Sequence, residues 1–102
     1  MKVLFLIRGG NVPQEEMAAN MTEWNVYMDQ LKERGVLRGG MPLAGGKVVS
    51  AEGVEDYKAS DMDVSGHMEL EVDSLEDAVK AAQMAPNVKH GGTVEVRAEM
   101  AM

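Results

Sequence analysis

Six ionisable residues in this 102-residue chain have types and spacings suited to chemistry. His67, Glu69 and Glu71 alternate with Met68, Leu70 and Val72. That two-residue period describes a strand with one polar and one apolar face. Near the end of the chain, Thr93, Glu95 and Arg97 alternate in the same way with Val94, Val96 and Ala98. Arg8 closes a short apolar run at the start. If these strands share a sheet, His67, Glu69, Glu71, Glu95 and Arg97 stand on one face, with Arg8 at its end. An imidazole beside carboxylates exchanges protons near neutral pH, and a guanidinium holds an anionic group in a fixed fork. His67 would then be the acid or base, Glu69 or Glu95 would orient it, and Arg97, with Glu95, Glu71 and Arg8, would bind substrate. The same residues also make an ordinary solvated sheet face, or ion pairs that stabilise an interface, which is the commoner arrangement.

Other motifs stop short of a site. Asp61-Met62-Asp63-Val64-Ser65-Gly66 begins like a calcium loop, but the twelfth position, where a bidentate Glu is needed, is Val72. His67 and His90 have no zinc spacing, so no metal is expected. The glycines of GGMPLAGGKVV lack a phosphate loop's spacing and magnesium-binding hydroxyl, and they suit turns at strand ends. The chain has no Cys, hence no thiol nucleophile and no disulfide framework. No serine nucleophile motif is evident, and no cofactor is implied.

The elements that would position the polar face follow from periodicity. Val3 to Ile7 is a continuous apolar strand, which implies cover on both of its faces. Pro13 suits a first helical turn. Met17, Met21, Trp24, Met28 and Leu31 then form one helical stripe, more simply a core face than a cofactor box. Gly35 ends the helix. Val36 to Leu43 reads as a second strand weakened by Gly39, Gly40 and Pro42. Between residues 44 and 64, KVVS and VEDYK suit a short hairpin across Ala51-Glu52-Gly53, followed by an acidic loop. Ser74 caps the next helix, with Asp77 three residues later. Its expected inward residues are Leu75, Ala78, Val79 and Ala82, and Pro86 ends it. The resulting order, βαββαβ, is a ferredoxin-like α+β arrangement with helices on one face of the sheet. No linker divides residues 1–102.

Seventeen Asp and Glu against ten Lys and Arg give a formal charge of −7, which argues against nucleic-acid and anionic-membrane partners. The opening MKVLFLI is better read as a buried strand than as a signal peptide, so the expected location is cytoplasmic. Ten Met with one Phe and one Trp imply a core filled by thioethers. A domain of this size buries a limited share of its surface, and a second subunit would help it.

The segments MKVLFLIRGG, LKERGVLRGG, LEVDSLEDAVKAAQMAP and GGTVEVR, in this order and spacing, resemble the YCII-related proteins, closest to the branch with a DGPF motif. The resemblance implies a dimeric α+β barrel, two ferredoxin-like subunits enclosing a cleft between their sheets. The DGPF tetrapeptide itself is missing, and VEDYKASDMD occupies its region. The YCII branch proper places a His in the first helix and an Asp before the Pro after the second. Here that helix has no His and Ala85 precedes Pro86, so the pair is not carried over. The leading expectation is a homodimer binding a small organic molecule in its cleft. The alternatives are a small enzyme doing proton transfer or elimination on an aromatic or anionic metabolite, and a structural or regulatory interaction module.

Overall fold

A computed structural model describes all 102 residues. Six strands and three helices run in the order β1 (Lys2–Arg8), α1 (Met17–Glu33), β2 (Leu37–Pro42), β3 (Lys47–Ser50), β4 (Gly53–Asp56), β5 (Val64–Glu71), α2 (Leu75–Gln83), α3 (Pro86–Lys89), β6 (Thr93–Ala98). Strands β2-β5-β1-β6 form the main sheet in that spatial order, each neighbouring pair antiparallel. This is the ferredoxin-like α+β arrangement, with a separate β3–β4 hairpin inserted between β2 and β5. No helix is long and apolar enough to cross a membrane.

The alternation read from the sequence sets the layering. Val3, Phe5 and Ile7 of β1 and Met68 and Leu70 of β5 are buried with Val72 beneath the helices, while Val94 and Val96 pack at the margin. Phe5 pairs with Met68 on one side and Val96 on the other. Phe5, Leu31 and Leu70 are the largest fully enclosed side chains, each contributing about 1.5–3 kcal/mol of burial. The weak second strand lies at the sheet edge, where Pro42 deprives no neighbour of a ladder bond. Gly40 sits there at φ +141°, and a Cβ would fall 2.4 Å from the His67 carbonyl oxygen.

Both helices depart from their expected faces in part. In α1 the core side is Trp24, Tyr27, Met28 and Leu31, while Met17 and Met21 are exposed because the helix outruns the core beneath it. Tyr27 was not in the stripe; it is buried, donates its hydroxyl to Ala81 O at 2.6 Å, and meets Trp24 edge-on. Ser74 caps α2 by accepting from Asp77 N at 3.1 Å. The inward residues of α2 are Ala78, Ala81 and Ala82, with Ala85 just beyond, whereas Leu75 and Val79 are exposed. At about 100° per residue, Leu75 and Val79 lie on the flank of the stripe centred on those alanines. Small side chains at its centre bring α2 close to the sheet and to Tyr27. Pro86 ends α2 and also opens α3 at its first position.

The expectation of cover on both faces of β1 is met on one face only within the chain. Leu4 and Leu6 are half-buried and look away from the helices. With one helix layer on one sheet, the molecule is a slab of 45 × 43 × 19 Å.

Candidate functional site

Strand register places the polar residues on the helix-free face. Leu6 lies between His67 of β5 and Glu95 of β6, and Leu4 lies between Glu69 and Arg97. Lys2 is opposite Glu71, and Arg8 opposite Thr93. All six candidate residues therefore share the face that carries Leu4 and Leu6. Antiparallel strands are about 4.8 Å apart, so His67 and Glu95 stand two strand spacings from one another with Leu6 in between.

That geometry decides which groups meet. Arg97 Nη1 donates to Glu95 Oε2 at 2.9 Å, and Arg8 Nη2 donates to Glu95 Oε1 at 3.4 Å. The Glu95 carboxyl is held below the usual carboxylate range, first by the Arg97 hydrogen bond and secondarily by the charges of Arg97 and Arg8. Glu71 Oε1 accepts from the amino group of Met1 at 3.2 Å. The expected orientation of His67 by Glu69 or Glu95 is not formed: Glu95 is committed to two arginines, and Glu69 lies beside Gly39 at the next register position. The single chain thus assembles an Arg–Glu–Arg cluster, and His67 stands apart from it.

Two concavities flank this face. At the Lys2 end, a groove of about 570 Å³ has Leu4 in its floor and Lys2, Arg38, Glu69, Glu71 and Arg97 in its walls. At the Arg8 end, a recess of about 240 Å³ is lined in part by Asn11, Leu43, Tyr57, Ser60 and Asp63. Arg8 ties the recess to the sheet, because its Nη1 donates to Met62 O at 3.4 Å. Tyr57 is pushed above its ordinary range by its hydrogen bond to Asp63. Asp63 is held below its range by the same bond and by Ser60 N, which donates to Oδ2 at 2.6 Å. The stretch that began like a calcium loop is thus a turn closed by its own carboxylate. Tyr57 was absent from the residues singled out by sequence, and Asp63 entered only through the calcium-like stretch; both lie in the segment replacing the DGPF motif.

Asn87 was missed as well. It is buried at 2% exposure, and its Nδ2 donates at 3.0 Å to both Arg8 O and Thr93 O. It clamps the end of β1 to the start of β6, and with them the backbones that carry Arg8 and Glu95. Gly10, at φ +72°, makes room for this clamp: a Cβ there would come within 2.4 Å of Asn87 O.

No protein-family profile matches the chain. No curated protein matches it either. Among solved structures, the chain is similar to 5-chloro-2-hydroxyhydroquinone dehydrochlorinase (TftG) from Burkholderia phenoliruptrix AC1100, determined in complex with 2,5-dihydroxybenzoquinone. The likeness has a TM-score of 0.63 at 16% identity and covers 98% of this chain and 94% of the other. It is a likeness of fold over nearly the whole of both chains.

Proposed function

We propose that this chain is a YCII-like protein that binds a small organic molecule on the helix-free face of its sheet, in a cleft closed by a second copy. The observation that carries the reading is the groove with Leu4 in its floor and Arg97, Arg38 and Lys2 in its walls among Glu69, Glu71 and Glu99. An apolar floor with a few convergent polar groups is the usual make-up of a small-molecule site. It suits a flat ring laid on Leu4 with an anionic or hydroxyl substituent toward Arg97. The fold-level neighbour holding 2,5-dihydroxybenzoquinone gives the ligand class to try first. A second copy is supported by surface area: the chain exposes 7299 Å², whereas a compact monomer of its mass exposes about 5,700 Å².

In the enzyme reading, His67 is the acid or base and Arg97 grips the anion. Half-burial of His67 beside Leu6 favours that role, with Glu69, on the same strand and in no ion pair, as the carboxylate left to orient it.

The test is a thermal-shift series with hydroxylated benzenes and benzoquinones on the wild type, Arg97→Ala and His67→Ala. A ligand at 100 times its Kd adds about 2.7 kcal/mol, a shift on the order of 10 °C for a domain this small. Arg97→Ala is expected to abolish the shift and His67→Ala to retain it. An undiminished shift in Arg97→Ala would place the ligand elsewhere. Turnover of the ligand that disappears in His67→Ala would favour the enzyme.

A further inference from the structure

The β3–β4 hairpin pairs only with itself. Lys47 is opposite Asp56, Val48 opposite Glu55 and Val49 opposite Val54, and neither strand bonds to the main sheet. Lys47 and Asp56 form an ion pair near its base. An isolated two-stranded hairpin is marginal in water unless a hydrophobic face is covered. Here the apolar side chains are bare: Val49 is 75% and Val54 64% exposed, with Val48 close to half. Val49 and Val54 are cross-strand partners and so stand on the same face of the ribbon. Three β-branched apolar residues on a solvated arm contribute nothing to the core.

We propose that this arm seats on a second copy of the chain, its Val49–Val54 face forming part of a homodimer contact. The occupant is argued from area and continuity. The radius of gyration is 14.9 Å, against about 12.8 Å for a compact domain of this length. The surplus of roughly 1,600 Å² of accessible surface per chain falls in the range of obligate dimer interfaces. The main sheet, four strands wide and about 20 Å long, covers only about 400 Å² in plan. A corrugated contact over all of it still leaves much of the surplus, and the arm carries the two most exposed valines of the chain, Val49 and Val54. The arm also adjoins the bare face, because its return segment carries Met62, whose carbonyl accepts from Arg8 on that face. A copy lying on the sheet therefore comes within reach of the arm. The inference rests on the dimer reading above and adds a second contact to it.

The experiment measures self-association of the wild type, Val49→Asp/Val54→Asp and Leu6→Arg by sedimentation velocity. Trp24 fluorescence and circular dichroism report that each remains folded, and the arm lies outside the core, so the double variant keeps its fold. The wild type is expected to be dimeric at micromolar concentration and the arm variant to dissociate at least tenfold more readily. If the arm variant stays as dimeric as the wild type while Leu6→Arg dissociates, the arm inference is overturned and the sheet-face dimer stands. A monomeric wild type overturns both. A second measurement uses the absence of any native cysteine: Val49→Cys labelled with a polarity-sensitive dye is expected to shift to the blue as concentration rises through the dimer range. A label that stays water-like while the protein dimerises overturns the arm contact.

Discussion

The two faces of the central sheet are built from the same strands, one residue out of step, and they behave as different materials. On the helix side, Phe5 and Met68 are paired across β1 and β5 and exclude water, with Val96 packed against them at the margin. On the other, Leu6 occupies the corresponding row between His67 and Glu95 and stays half-exposed. Strand pairing is equally good for both faces, so hydrogen bonding does not distinguish them. What distinguishes them is what lies opposite: alanine-lined α2 and the Tyr27–Leu31 end of α1 on one side, and nothing from this chain on the other.

The comparison is tested most severely by truncation on either side. Phe5→Ala is expected to cost about 3–5 kcal/mol of stability in urea unfolding, from lost transfer energy and the cavity left behind, with no dependence on protein concentration. Leu6→Ala in the next row is expected to cost less than half as much in dilute protein and more as concentration rises. Equal, concentration-independent losses would mean that the two faces do not differ in this way.

A smaller effect concerns the polar group tucked under the helices. Tyr27→Phe removes the bond to Ala81 O and is expected to cost about 1 kcal/mol at neutral pH. Burial pushes the Tyr27 hydroxyl up to about 12, against 10.0 for a free tyrosine. The folded state therefore binds this proton more tightly than the unfolded state. Its contribution is complete below pH 10 and is lost as pH rises toward about 12. Stability of the wild type should fall across that interval relative to Tyr27→Phe, as measured by urea titrations at stepped pH.

The smallest effect belongs to the bare face. Arg97→Ala is expected to raise the Glu95 titration toward the ordinary carboxylate range, and Arg8→Ala to do so less, since the Arg97 hydrogen bond is the leading cause of its depression. Because the folded carboxyl titrates below the unfolded one, its favourable contribution is present above the unfolded range and fades as pH falls through the folded value. Side-chain NMR of Glu95 reads this directly. An unmoved titration would show that the arginines do not set its charge.

Much of the fold was legible because local signals agreed. Alternation in 65–72 and 93–98 placed both strands and both phases, Ser74 capped α2 as read, and the KVVS/VEDYK hairpin formed. The helix faces were less legible. Apolar spacing marked Met17, Met21, Leu75 and Val79 as inward, yet how far a core extends beneath a helix is a property of the packed neighbours. Tyr27 and Asn87 were missed for a related reason: a polar residue shows its buried role only when its partner is known, and Ala81, Arg8 and Thr93 are distant in sequence or lack any motif. The candidate residues were correctly gathered on one face, but the His–carboxylate pairing was not legible, because alternation orders residues along a strand and says nothing of the strand between.

By itself, the sequence determined which residues share a face, since the two-residue period of a strand leaves no other choice. Only the tertiary structure decided who meets whom. Placing β1 between β5 and β6 put Leu6 between His67 and Glu95, and folded Arg8 and Arg97 onto the same carboxylate. It also left an arm and half a sheet without cover. Those outcomes depend on strand order, which is set by the balance of long-range burial over the whole chain.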